Sequence, residues 1–318
     1  MTSYALRRLG TVAFILIVMS LLVFLATHAL PSNTAALILG QYSTPETQAA
    51  LEHKLGLDLP LPVQYWHWAS GLLRGDLGQS LVMERPVAPM LWDAFGRSAV
   101  LAVCAMAVVS TLGVAMGVVA AVWRGRWPDH SVSVFAYLGI SVPEFYWGLV
   151  LILLFGSTFH LLPTSGSGDL RDGLASFCSF LVLPVITLTL TLLAHVSRLT
   201  RSSMAEELDS MYVKVARARG LPERVVIIRH ALRNALVPAI TVLAQDFGFL
   251  IGGIVAIETI FAYPGLGRLL IFALQRQDLP LMQAAILVLT AVYCLANLTA
   301  DLLYGVANPR IRYGGAVE

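Results

Sequence analysis

Residues 198–233 read RLTRSSMAEELDSMYVKVARARGLPERVVIIRHALR, and this stretch decides how the chain is to be folded. It lies between two apolar runs, each long enough to cross a bilayer, and holds eight of the chain's 21 Lys+Arg together with four carboxylates. A mere connector between two membrane helices needs far fewer residues. A polar stretch of this length is expected to be read by something outside the membrane.

The composition around it excludes a soluble domain. Of 318 residues, 57% are hydrophobic and 13% are charged, and the mean hydropathy is +0.76; soluble domains carry roughly twice that charge fraction. A net charge of +2 is too small to indicate a nucleic-acid partner. Cys104, Cys178 and Cys294 stand far apart in apolar runs, which suits packing rather than a disulfide framework or metal ligation.

Working outward, residues 1–30 place Arg7 and Arg8 before an apolar run from Leu9 to Leu30. That run is longer than the roughly 7–15 residues of a signal-peptide core, so a retained first transmembrane helix is expected. Residues 31–96 form an extracytoplasmic insert. Within it Ser43 or Thr44, Pro45 and Gly56 bound a short helix on which Leu51 and Leu55 share a face. Tyr65, Trp66 and Trp68 suit a segment at the membrane interface. No spacing supports His53 or His67 as metal ligands, and no metal site is expected.

Residues 97–305 supply the remaining membrane core. Residues 98–123 make the second span, with Gly113 and Gly117 spaced for close helix approach, and RGRWPDH follows as a turn. Residues 131–160 are interrupted at Pro143-Glu144; two spans there would put residues 198–233 on the wrong face, so one kinked span is expected. Residues 176–197, with Pro184 as a kink, 236–257 and 281–304 complete six spans, and 306–318 form a cytoplasmic tail. With both termini inside, fourteen of the 21 Lys+Arg face the cytoplasm, among them Arg310 and Arg312. The excess is in the direction expected of a six-span protein with both ends inside.

The central stretch breaks at Gly220-Leu221-Pro222. Before the break Met204, Leu208, Met211 and Val215 recur at helical spacing; after it Pro222 and Glu223 suit a first helical turn. A helix–turn–helix of this kind suits a protein cleft or an anionic lipid surface, and its physics alone does not separate the two.

Here ARARGLPERVVIIRHALRNALVP resembles the EAA loop of ABC importer permeases, in their dipeptide/oligopeptide/nickel branch. The general pattern is Glu-Ala-Ala, three residues, Gly, nine residues, then Ile-x-Leu-Pro. Aligned on Gly220, it matches Ala216, Gly220 and Leu232 and departs at Lys214, Val215, His230 and Arg233. KLGLDLPLPVQYWHW, LLRGDLGQSL, LLPTSG, FLIGGIVAIETIFAYPGLGRLL and LLYGVANPRIRYG resemble other parts of that branch in order along the chain, with Asn308 where the family usually has Asp.

The resemblance implies an all-α permease subunit of the type I importer fold in the bacterial cytoplasmic membrane. It implies two cytoplasmic ATPase subunits, a second permease subunit and an external solute-binding protein as partners. Ala216, Arg217, Ala218, Arg219, Gly220 and Leu221 would carry the coupling to the ATPase. Dipeptides or oligopeptides are the implied cargo, with nickel or metal-chelate complexes as the alternative. The chain has no phosphate-binding GxxxxGK[ST] loop. It is therefore not expected to be an enzyme or to bind a cofactor, and ATP and Mg belong on the partner ATPases.

Within the spans, Gln245, Asp246, Gly248, Gly252 and Glu258 are candidates for the translocation pathway. An ionised Asp246 at mid-span must face a cavity or a partner, so a pore-lining place and a helix contact both remain open. Gly248 and Gly252, with Gly253, suit tight packing; Glu258 lies near Tyr263-Pro264-Gly265-Leu266-Gly267, which is an outer gate by resemblance and otherwise a wet turn. His28, His195 and Asp301 are expected to reach water or headgroups. An ion-coupled secondary transporter would need inverted repeats, and an intramembrane enzyme a nucleophile–base pair or metal cluster; neither pattern is present in the sequence.

Overall fold

The computed structural model describes residues 2–29, 44–55 and 58–307. Besides a short 3-10 turn over Leu170–Asp172, these form eleven helices: α1 (Thr2–Ala29), α2 (Pro45–Leu55), α3 (Leu61–Leu73), α4 (Val87–Val122), α5 (Trp127–Ser141), α6 (Glu144–Thr158), α7 (Leu174–Leu208), α8 (Met211–Ala218), α9 (Glu223–Ile260), α10 (Leu266–Arg276) and α11 (Leu279–Ala307). Five helices are long and apolar enough to cross a bilayer: Leu6–Ala29, Val87–Val122, Leu174–Leu208, Glu223–Ile260 and Leu279–Leu302. The pair α5–α6 makes a sixth crossing when counted as one broken span. Ser43, Gly56, the side chains of Leu51 and Leu55, and the tail with Asn308, Arg310 and Arg312 lie outside the described residues.

Several expected boundaries move. The second span starts at Val87, and the fourth runs unbroken through Pro184 to Leu208, well beyond its apolar part. The RGRWPDH turn is shorter than expected because Trp127, Pro128 and Asp129 already form the first turn of α5. A proline at the start of a helix loses only an N–H that has no intrahelical partner. The 131–160 run is no gentle kink: its halves meet at 104°, with Val142 and Pro143 both extended. Extended geometry is what the residue before a proline prefers.

The chain divides into two compact units. One comprises, among the described residues, 2–6, Ala99–Tyr263 and 293–307, and α7 is its axis. Its core joins Leu101, Ala105 and Val109 of α4 to Leu183, Leu188, Leu192 and Val196 of α7 and to Leu250, Ile254, Ile257 and Phe261 at the end of α9. Lipid tails are as apolar as these side chains, so helices associate in a bilayer through close packing rather than hydrophobic exclusion. Small residues supply that closeness. A Cβ on Gly117 would lie 2.6 Å from Ser197 O and 2.5 Å from Thr200 Cβ, and one on Gly139 2.9 Å from Leu190 O. Gly113 meets Val196 in the same way, so the Gly113/Gly117 pair does pack a helix.

The other unit comprises Arg7–Ser98 and Pro264–Val292. Here α3 lies along α1, with the Phe24 ring 5.4 Å from Tyr65 and 5.8 Å from Trp68, while Trp66 is exposed. His28 is half-buried at this contact: its Nε2 lies 3.0 Å from Gln64 Oε1 and its Nδ1 2.8 Å from Phe24 O. The fully buried Asp278 accepts hydrogen bonds from Ser80 Oγ (2.5 Å) and from the Leu81 and Val82 N–H groups (3.2 and 3.3 Å). A carboxylate buried this deeply is tolerable only when its oxygens are satisfied.

Replacing Gly117 with leucine is expected to lower stability by about 1–3 kcal/mol through overpacking against α7. Gly252→Ala, where a Cβ meets nothing within 4 Å, is the reference and is expected to hold or raise stability by up to about 1 kcal/mol. Thermal denaturation of both variants in detergent checks this.

Candidate functional site

The central polar stretch is built in three pieces. Helix α7 ends at Leu208, and the Asp209 and Ser210 N–H groups close back on Ala205, Glu206 and Glu207 carbonyls. Ser210 is extended and starts α8. Gly220, at φ +77°, then reverses the chain, with its N–H donating to Arg217 O (2.9 Å) and the Leu221 N–H to Ala216 O (3.4 Å). Left-handed backbone at this point favours glycine. Pro222 is extended, and α9 begins at Glu223 as expected. A π turn over Val226–Ala231 then resets the register of α9 before its apolar part.

This loop has a core of its own. Met204 of α7, Val213 and Ala216 of α8, Val226, Ala231 and Ala235 of α9, and Ala121 at the end of α4 are buried together. The expected apolar face of Met204, Leu208, Met211 and Val215 is therefore corrected. The break at Asp209–Ser210 shifts the register, so Val213 and Ala216 turn inward while Met211 (74% exposed) and Val215 (43%) turn out. The six expected coupling residues separate likewise: Arg217, Ala218, Arg219, Gly220 and Leu221 are exposed, and Ala216 packs inside.

Arg217 is committed within the loop. Its Nη2 donates to Glu223 Oε1 at 2.7 Å across the Gly220 turn, and the hydrogen bond to Glu223 raises its pKa above the ordinary arginine value. Nearby, the Tyr212 hydroxyl donates to Glu207 and accepts from Asn234 Nδ2 (2.9 Å). Burial and the Glu207 carboxylate push that phenol's pKa up, keeping it a donor.

Two polar pairs brace α7 above the loop. Arg201 donates through Nε and Nη2 to Asp129 at 2.5 and 2.8 Å, and the Gly125 N–H adds a third bond at 2.9 Å. Asp129 is only 3% exposed, so this forked pair ties the start of α5 to α7. His195 Nδ1 lies 3.1 Å from Asp246 Oδ1, joining α7 to α9. Asp246 thus sits at a helix contact, while His195 pairs with it and remains exposed to water as expected. Reading along the chain missed Asp129–Arg201; its one signal was an acid in the first turn after Trp127-Pro128 with an arginine at the polar edge of a span.

The five pathway candidates also divide. Gln245 and Gly252 are exposed, on one face of α9 with Phe249, Ala256 and Thr259. Asp246, Gly248 and Glu258 lie inside: Gly248 backs onto Asn297, and Glu258 is fully buried. Gly253 rather than Gly252 is the second close-packed glycine, against Glu144. Phe261 and Tyr263 are buried and the Gly166 N–H donates to Phe261 O (3.0 Å), so this segment is not a wet turn. His53 Nδ1 pairs with Asp58 at 2.7 Å on the surface. Among the described residues no group of three His, Cys, Asp or Glu side chains stands together as a metal site.

Residues 113–313 match the family model described as the inner membrane component of binding-protein-dependent transport systems, and residues 1–115 match its N-terminal companion. The chain belongs to this family. The permease is 39% identical to the glutathione transport system permease proteins of Salmonella choleraesuis and Escherichia coli, over 98% of its length and 100% of theirs. It is 40% identical to that of Pectobacterium atrosepticum, with the same coverage. Its fold resembles that of a crystal structure of an amino acid ABC transporter with histidines, with a TM-score of 0.51 at 17% identity over 70% of the permease and 94% of that chain. It is an inner-membrane ABC importer subunit of the dipeptide/oligopeptide/nickel branch. ATP hydrolysis belongs to separate subunits.

Gly220→Ala in the permease is expected to strain the turn by about 1–2 kcal/mol. Hydrogen exchange of the α8 amides should quicken accordingly, while amides in the middle of α7 keep their protection.

Proposed function

We propose that the permease imports a short peptide or peptide-like thiol, and that its 209–222 loop docks into a cytoplasmic ATPase subunit whose closure it transmits to the spans. Supporting the docking is one observation: the loop is ordered by its own core, yet displays Met211, Val215 and Leu221 beside Lys214 and Arg219. Exposed apolar residues ringed by cations suit a protein groove with acidic edges. Supporting the cargo class, the relatives cited above are named for glutathione transport.

In this reading both termini are cytoplasmic, as the charge bias requires. Two ATPase subunits hold ATP and Mg, and an external binding protein delivers the solute. A second permease subunit faces the exposed side of α9, where Gln245 and Gly252 border the pathway. Ala216 supports the docking surface from behind by packing, and the exposed Arg217 is held in place by Glu223. Asp246, Gly248 and Glu258 hold the helices that form the pathway rather than touching the solute.

Arg219 is the clean probe, because reversing Arg217 would also break an internal ion pair. Arg219→Glu combined with Met211→Asp is expected to weaken ATPase co-purification at least tenfold, a change of about 1.4 kcal/mol or more. ATP-driven uptake of labelled glutathione into proteoliposomes should fall with it. Unchanged ATPase retention would overturn the docking assignment. Uptake of a nickel chelate in place of peptides would overturn the cargo class and leave the docking intact.

A further inference from the structure

Between α5 and the loop-side end of α7 lies a cavity of about 400 Å³ that none of the roles above employs. Its polar lining comes from Ser133 and Tyr137 of α5 and from His195, Arg198, Arg201 and Ser202 of α7. Three hydroxyls and three cationic or cation-forming groups thus converge, with no carboxylate in the lining. Asp129 is taken up by Arg201 and Gly125, and Asp246 by His195 Nδ1. Arg198 has no counter-ion among the described residues.

Arg198 is exposed at the loop-side end of α7, so its guanidinium is open to an anion arriving from outside the chain. Arg198 with the flanking Ser133, Tyr137 and Ser202 hydroxyls suits a tetrahedral oxyanion, which offers several acceptors in different directions, while the charge of Arg201 is already matched by Asp129. The rim beside the cavity indicates the source of that anion. On α5, Val134 (57% exposed), Tyr137 (64%) and Leu138 (54%) form an open apolar face suited to acyl chains. We propose that this cavity binds the phosphate of an anionic lipid headgroup, anchoring the α5–α7 brace in the membrane surface. Basic pockets between spans are a recurring solution for such headgroups. This inference is independent of the cargo and of ATPase docking.

The test uses the full-length permease in detergent, examined by native mass spectrometry with added cardiolipin, phosphatidylglycerol or phosphatidylcholine, and separately by calorimetry with inorganic phosphate. Arg198→Gln and Ser202→Asp are compared with Arg229→Gln, which changes net charge by as much as Arg198→Gln does but lies outside the cavity. The expected result is preferential retention of the anionic lipids, reduced about fivefold or more by each cavity variant and unchanged by Arg229→Gln. Equal retention of anionic lipid by all four proteins would overturn the lipid site. If inorganic phosphate binds and is lost in Arg198→Gln while lipid retention does not change, the cavity is a site for free phosphate and the lipid source is wrong. Thermal melts confirm that each variant is folded.

Discussion

A helix inside a bilayer gains little from hiding an apolar side chain from apolar lipid, so the organisation of the larger unit depends on how closely its neighbours approach α7. Gly117 and Gly139 bring α4 and α5 to near-contact with the α7 backbone, Gly113 lets α4 close on Val196, and no larger side chain fits at the tightest of these points. That packing lets α7 run on past its apolar part to Leu208 as a single helix. Backbone hydrogen bonds keep it whole in lipid and in water alike. Motion at one end therefore has a stiff element through which to reach the other.

The polar contacts sit where that stiffness has to be directed. Arg201 and Asp129 lock α7 to the start of α5, and His195 and Asp246 link α7 to α9. Below them the loop is no loose connector: Val213 and Ala216 pack against Met204 and Val226, and Arg217 spans the Gly220 turn to Glu223. A partner pressing on the exposed side of α8 would push against a buried core joined to both α7 and α9. This is what coupling through a loop requires: the contact surface and the spans must move together.

Features set by a few neighbouring residues were legible in the sequence. Gly220 and Pro222 announce the turn because the left-handed φ and the missing N–H are local demands, and the spans announce themselves through sustained hydropathy. The face of α8 was misread because helical periodicity was carried through Asp209–Ser210, where the helix stops and its phase is lost. Pro143 marks a break in the third span, but its 104° angle depends on what α6 packs against. Asp129–Arg201 and His195–Asp246 join residues far apart in sequence, so no spacing rule could pair them. The fold class was thus legible throughout, whereas the division of the proposed coupling and pathway residues into exposed and buried sets needed the packing.

Site-specific photo-crosslinking within the assembled transporter tests the central claim most directly, with the crosslinker placed in turn at Met211, on the open side of α8, and at Val213, in its core. The account predicts that the Met211 position captures an ATPase subunit and that the Val213 position captures none. ATPase capture from neither position, or capture of lipid alone at Met211, would contradict it.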